Sequence, residues 1–379
     1  MSKLSEMIAT YCPNGVKYKK LGEVARICRG VRVVRKDLID NGKYAVYQNS
    51  LKPLGYFNEA NVKGGTAFVI GAGAAGEVGY SEQDFWAADD CYYIDGGDQL
   101  IGRYVYYCLT SRQGWLESKT RKASIPRLSR DFVAALEIPL PPLPIQREIV
   151  QTLDNFANLT AELTAELAKR KKQYEHYRDM LLNFTGGGRY DNISLKVEWK
   201  KLGEVCEVKT GGEPPVDAIK GKMPFSDSIY PIYANGIGDN ALWGFSRDAV
   251  INREAVTFSS IGTIGHPIIR KAGFTPIIRL KVIYPKDEQV LSLGFLKYVL
   301  EVIDFKQQKS SLPNVNASMI KSIDIPLPPL AEQKRIVAIL DRFDSLCNSL
   351  TEGLPAEIAL RKKQYEYYRD KLLSFKEAG

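Results

Sequence analysis

The fifteen residues RKKQYEYYRDKLLSF (361–375) repeat an earlier stretch, RKKQYEHYRDMLLNF (170–184), with twelve positions identical. Local propensity does not produce such a match, so the chain contains an internal duplication. No other feature constrains the fold as strongly, because both copies must be satisfied by one architecture. Further pairs follow in the same order. VKYKKLGEV from Val16 returns as VEWKKLGEV from Val197, and YAVYQN (44–49) as YPIYAN (230–235). SIPRLS from Ser124 returns as SLPNVN from Ser311, and EIPLPPLPIQREIV (137–150) as DIPLPPLAEQKRIV (324–337). Each copy is a variable region, a fixed proline-rich hinge and a fixed tail, with a period near 187 residues. That period is too long for a solenoid. Two copies imply a pseudo-twofold molecule.

The fixed tails predict long helices. From Ile149, steps of four and three run through Leu153, Phe156, Thr160, Leu163, Leu167, Arg170, Tyr174, Tyr177, Leu181 and Phe184. This is a heptad seam, the mark of a coiled coil. It predicts burial of Leu163, Leu167, Tyr174 and their counterparts, with the outer helical surfaces free for partners. Proline lacks an N–H and bars the preceding residue from the α region, so IPLPPL fixes where each helix starts. Thr185-Gly186-Gly187-Gly188 ends the first helix in a flexible joint. The second tail carries four extra residues between Asp341 and RKKQYE, a stutter in the heptad. Gly353-Leu354-Pro355 lies there and predicts a kink or break.

The variable regions, 1–136 and 185–323, hold short runs such as YAVYQ, TAFVIG, CYYID, AVTFSSIG and IIRLKVIY between Gly, Asn and Asp. Those are strands by composition. GRYVYYCLTS (102–111) and GFLKYVLEVI (294–303) predict a helix at corresponding places. Each region is a mixed domain large enough to bury its own core. The fold class is α+β: two mixed α/β domains separated by a long antiparallel two-helix coiled coil. The boundaries fall at 1–143, 144–184 (helix), 185–330 and 331–379 (helix).

Composition narrows function. A formal charge of +8 favours an acidic partner, nucleic acid first. Six scattered cysteines without a CxxC pair, and only two histidines, argue against structural zinc and for a reduced cytosolic setting. No apolar leader core and no run of about 18 apolar residues predicts neither export nor membrane insertion.

GAGAAG (71–76) matches G-x-G-x-x-G after the apolar run TAFVI. A dinucleotide or S-adenosylmethionine site needs a helix to start there. EVGYSEQDFW follows instead, with weak helical periodicity, and the other copy reads SSIGTIGHP. A glycine-rich turn between strands is the better reading. There is no GxxxxGK[ST] loop. His176 is replaced by Tyr367 in the second copy, and His266 sits in a turn before Pro267. No catalytic constellation emerges.

Basic residues are more informative. Arg26, Arg29, Arg32, Arg35 and Lys36 cluster without an acid, as do Lys119, Arg121, Lys122, Arg127 and Arg130 around Ser124. The matching stretch of the second copy is polar: Lys309, Ser310, Ser311, Asn314 and Asn316. These side chains contact phosphates and base edges. DNA contacts are therefore expected at Arg29, Arg32, Arg35, Lys122, Ser124 and Arg127, and at Lys309, Ser310, Ser311, Asn314 and Asn316. Asn49 and Asn235, matched after paired tyrosines, are further candidate base readers. RKKQYE, unchanged between copies, fits a common protein partner better than sequence reading.

Two dissimilar regions, each ending in IPLPPL-x-x-Q-[KR] and followed by a helix ending in RKKQYE-x-YRD-x-LL-x-F, resemble the specificity subunit of type I restriction-modification systems. The likeness covers essentially the whole chain. It implies two target recognition domains, each reading half of a bipartite site in double-stranded DNA. Two methyltransferase subunits would dock on the chain, and restriction-translocation subunits can join them. S-adenosylmethionine, and ATP with magnesium where the system restricts, would belong to those partners, leaving this chain noncatalytic and without a cofactor in the prokaryotic cytosol. The rival readings are a fused S-adenosylmethionine-dependent methyltransferase using GAGAAG and a coiled-coil scaffold that never touches DNA.

TAELTAEL (160–167) then acquires a mechanical reading. Four helical residues add about 6 Å and turn about 40° beyond a full revolution. B-DNA rises about 3.4 Å and turns about 35° per base pair. One tetrad is commensurate with one to two base pairs. In the family that this chain resembles, the copy number of such a repeat goes with half-site spacing.

Overall fold

Both variable regions are built on one sheet plan. In the first, strands Arg26–Arg29, Cys91–Asp95, Thr66–Ile70 and Val78–Ser81 form a four-stranded antiparallel sheet in that order. Beside it Gly55–Phe57, Tyr44–Tyr47 and Trp86–Ala87 form a smaller sheet whose last pair is parallel. In the second region the order is Cys206–Thr210, Lys281–Pro285, Ala255–Ser259, Gly265–Arg270. Its small sheet runs Ile219–Lys220, Leu242–Ser246, Tyr230–Tyr233, Thr275–Pro276, again with a parallel final pair. The central strands TAFVI and AVTFS are buried almost throughout, which is why they read as continuous apolar or small runs rather than alternating ones. The expected helices are present at Gly102–Ser111 and Leu293–Val302. Each turns a buried stripe inward, Tyr104, Val105, Cys108 and Leu109 in one and Phe295, Leu296, Val299 and Leu300 in the other.

The computed structural model describes residues 3–184, 189–190, 193–194, 197–260, 264–303, 315–349 and 351–378. By contacts the chain divides into two units, residues 1–165 with 356–379, and residues 166–355.

The fixed segments meet at the base of each unit. Strand Tyr18–Lys20 pairs with Glu137–Pro139, and Glu198–Lys201 pairs with Asp324–Leu327. The opening KKLGEV and the hinge that closes the variable region thus form one ribbon. Leu21 and Leu202, each fully buried, plug the single helical turn that follows. The glutamine of the hinge motif is a clip. Gln146, fully buried, donates from Nε2 to Gln99 O and Pro141 O, both at 2.9 Å, and accepts from Ile101 N at 3.0 Å. Gln333 repeats this with Val290 O (2.8 Å), Pro328 O (2.9 Å) and Ser292 N (2.9 Å). A buried amide is tolerated only when so satisfied. About two turns on, Tyr107 donates to Asp154 and Tyr298 to Asp341, tying each domain helix to its tail.

The first tail is one helix, Leu143–Leu182. The second is broken into Leu330–Asn348 and Leu354–Leu372, at the place marked by the stutter and Pro355. Gly353 makes the break with φ +81°, where a Cβ would lie 2.6 Å from Ser345 O. The tails are exchanged crosswise. In the first unit Phe156 stacks on Tyr368 at 5.1 Å, and Val16 is bridged to Glu377 next to the Tyr18 hydroxyl, which bonds Phe375 N at 3.0 Å. In the second unit Tyr177 stacks on Phe343 at 5.6 Å. The first half of one tail with the second half of the other is the pairing of antiparallel helices. The seam is buried unevenly. Ile149, Leu153 and Tyr174 are buried, whereas Leu163 and Leu167 are only half-buried. The burial expected of Leu163 and Leu167 is therefore only partial, although Leu167 packs against the second unit's core. Both TAEL tetrads are helical, with Thr164 Oγ1 bonded back to Thr160 O at 2.7 Å. Thr185–Gly188 lies outside the described residues.

Candidate nucleic-acid interface

At the end of the first unit's sheets, five loops are stitched together by main-chain hydrogen bonds. Gly71 N donates to Asp90 O (2.6 Å), Leu128 N to Gly71 O (2.8 Å), Gly73 N to Pro126 O (3.1 Å) and Ala74 N to Asn49 O (2.9 Å). Arg121 and Arg127 bond each other in both directions. Ala88 N reaches Tyr47 O at 2.8 Å, and Arg29 Nε reaches Asp89 O at 2.7 Å. GAGAAG is the hub. It joins strand Thr66–Ile70 to Val78–Ser81 and starts no helix, so its glycines do not present a helix N-terminus to a cofactor. They admit the crossing chain: at Gly73, φ +85°, a Cβ would stand 2.7 Å from Asn49 O.

This arrangement brings Arg29, Asn49, Lys122, Ser124 and Arg127 to one edge, all exposed. Arg32 extends the edge beside Val33, which packs with Val46 and Ala88. Arg35 is exposed one step further, in the single turn Arg35–Asp37, and is not tied to the loop cluster. Some cations of the unit are neutralised: Lys3 by Glu148, Arg26 by Asp95, Lys63 by Asp84 and Arg103 by Asp154. The hydrogen bond from Arg26 holds the Asp95 carboxyl below its ordinary range. Among the described residues Arg29, Arg32, Arg35, Lys122 and Arg127 have no carboxylate within ion-pair distance. Exposed and unneutralised, they present a positive field to a polyanion.

The corresponding edge of the second unit is wired differently. Asn235 sits where Asn49 does, but its side chain is engaged: Oδ1 accepts from Ser260 N at 2.9 Å and Nδ2 donates to Ile278 O. Asn316 is exposed and caps helix Ala317–Lys321 by accepting from Met319 N at 2.9 Å. Lys309, Ser310, Ser311 and Asn314 lie outside the described residues. Two groups went unnoticed in sequence. Arg279 is exposed beside Lys281, which is 4% exposed and donates to Thr210 Oγ1 at 3.1 Å. Burial, and then repulsion from Arg279, hold the Lys281 ammonium below the ordinary lysine value. The only signal was two cations inside the apolar run IIRLKVIY, read as strand.

No group of three or more His, Cys, Asp or Glu that could hold a metal occurs among the described residues, and no helix there is long and apolar enough to cross a membrane. With this geometry in place, comparison with known proteins is decisive. The type I restriction modification DNA specificity domain matches twice, at residues 13–170 and 195–360. The chain belongs to that family. It is a noncatalytic DNA specificity subunit with two target recognition domains. A protein of Mycoplasma pneumoniae named as a type I specificity subunit is 31% identical over 95% of this chain and 98% of its own length. The EcoR124I/EcoR124II specificity subunit of Escherichia coli is 38% identical over 73% of this chain and 72% of its own. The crystal structure of the type I system S subunit from M. genitalium shares the fold, with TM-score 0.64 and 18% identity across 95% of this chain and 96% of that one. A specificity subunit of this kind binds DNA and assembles with other subunits.

Proposed function

We propose that the domains at 1–143 and 185–330 each read one half of a bipartite duplex site, and that the helices at 144–184 and 331–379 set the gap between the halves. The observation that carries this is the loop edge of the first unit: Arg29, Asn49, Lys122, Ser124 and Arg127 are exposed together on loops stitched by main-chain hydrogen bonds, and Arg29, Lys122 and Arg127 have no carboxylate within ion-pair distance among the described residues. Such residues gain from phosphate, because no ion pair must be given up. Arg29, Arg32, Arg35, Lys122 and Arg127 position the duplex, with Ser124 and Asn49 within reach of base edges. In the second domain Lys309, Ser310, Ser311 and Asn314 are assigned the same task. Two methyltransferase subunits dock on the repeated RKKQYE faces, and restriction-translocation subunits join where the system cleaves. The methyl donor and the base to be flipped out belong to the methyltransferase subunits. The complex works in the prokaryotic cytosol.

Mapping methylated adenines in cells that express the chain tests this. Two constant half-sites with an unspecified gap are expected. Deleting one TAEL should shorten the gap by one to two base pairs and leave both half-sites unchanged. Altered half-sites would refute the spacing role, and an uninterrupted site would refute the reading altogether.

A further inference from the structure

The second unit contains a strained corner that the established family role does not explain. Ile278 and Arg279 both adopt the left-handed region, at φ +52° and +61°. For a β-branched residue this is a true outlier, and two such residues in succession are rarer still. In the first unit the aligned positions are Asp89 and Asp90, neither of which has positive φ. The strain is held from four directions. Ile278 N donates to Gly212 O at 2.8 Å, and Arg279 N to Gly211 O at 3.0 Å. Ser260 Oγ donates to Arg279 O at 2.9 Å, and Asn235 Nδ2 to Ile278 O. Strain so over-determined marks a place where the surrounding fold fixes a functional conformation.

The corner displays two exposed side chains. Ile278 is 49% exposed, and Arg279 is exposed with no carboxylate partner among the described residues. The buried Lys281 behind it adds a second positive charge. An apolar side chain next to an unpaired guanidinium, on a rigid turn at the reading edge, matches the chemistry of the major groove. Arginine bonds the acceptor edge of guanine, and an apolar side chain meets the C5-methyl of thymine.

Resting on the function proposed above, we propose that Ile278 and Arg279 are specificity-determining residues of the second domain, reading a thymine methyl and a guanine edge, with Asn235 as the positioning residue that holds the corner.

The test uses the full chain assembled with its methyltransferase subunits. The probes are duplexes carrying the mapped site, in which each thymine of the second half-site is replaced by uracil and each guanine by 7-deazaguanine, one at a time. Binding should fall about fourfold at one uracil position, the worth of roughly one buried methyl. It should fall at least fivefold at one 7-deazaguanine position, the lower end of a bidentate arginine contact. Ile278→Gly relieves the strained φ, so it should melt no lower than the parent and still lose the uracil effect. Arg279→Ala should lose the deazaguanine effect. Asn235→Ala should shrink both effects while leaving recognition of the first half-site intact, a pattern that general destabilisation does not produce. If no second-half-site substitution matters in the parent, or if Ile278→Gly keeps the uracil effect, the corner is not a reader. A complex that finds no bipartite site at all would instead sink the function on which this inference rests.

Discussion

Arg121 and Arg127 exchange main-chain hydrogen bonds in both directions, at 2.8 and 3.2 Å, and close the residues between them into a loop. The closure holds the backbone, so the side chains of Lys122, Ser124 and Arg127 are free for a ligand without supporting the fold. Arg127→Ala is therefore expected to leave the melting temperature unchanged within about 1 °C, since surface substitutions away from such supports are nearly neutral. It should weaken binding to every DNA sequence and make the plot of log affinity against log salt shallower by about 0.9. A fluorescence titration at four salt concentrations checks this, and an unchanged slope would remove Arg127 from the phosphate contacts.

Gly30 passes between two carbonyls. A Cβ there would lie 2.2 Å from Ala88 O and 2.3 Å from Ala87 O, and backbone cannot yield as a side chain tip can. Gly30→Ala should cost about 3 kcal/mol or more. It should abolish recognition of the first half-site while the second survives, read out by footprinting on DNA carrying each half alone.

The hinge clip offers a stability test remote from DNA. Gln146→Leu would strand Gln99 O, Pro141 O and Ile101 N in a buried place, at roughly 1–3 kcal/mol for each group left unsatisfied. Urea denaturation should show a loss of about 3 kcal/mol or more, and Gln333→Leu a similar one. If the methylated site changes instead while stability holds, the clip is misread.

Buried thiols give an alkaline prediction. Burial pushes Cys108 and Cys206 up to about 12, against about 8.5 for an exposed thiol. A raised folded pKa means that the protonated form is favoured in the native state. The resulting stability is whole below about pH 8.5 and is lost as pH climbs toward 12. The native chain at pH 8 should resist iodoacetamide at these two positions and take it up on denaturation, which peptide mass spectrometry resolves.

The duplication, the hinges, the long tails and the break at Pro355 were all legible because each is a local pattern with one physical meaning. Sequence could not show what the hinge glutamine does, since its partners Gln99 and Ile101 lie more than forty residues away. Nor could it separate Asn49 from Asn235. Identical residues at matched places serve differently, one offering its backbone carbonyl to Ala74 and the other spending its whole amide on Ser260 and Ile278. Ile278 and Arg279 were hidden in an apolar run because their left-handed backbone is imposed by those distant partners and not by their own preferences.

Crosswise completion has a consequence for synthesis. Leu373 and Tyr365 belong to the apolar cluster built around Tyr104, Leu109 and Leu153, and Glu377 bridges to Val16. A ribosome that has finished residues 1–165 has therefore made an unfinished body, whose apolar flank waits for residues 356–379 to emerge. A chain stopped before residues 356–379 carries that flank uncovered, and an exposed apolar patch of that kind invites aggregation or capture by other proteins.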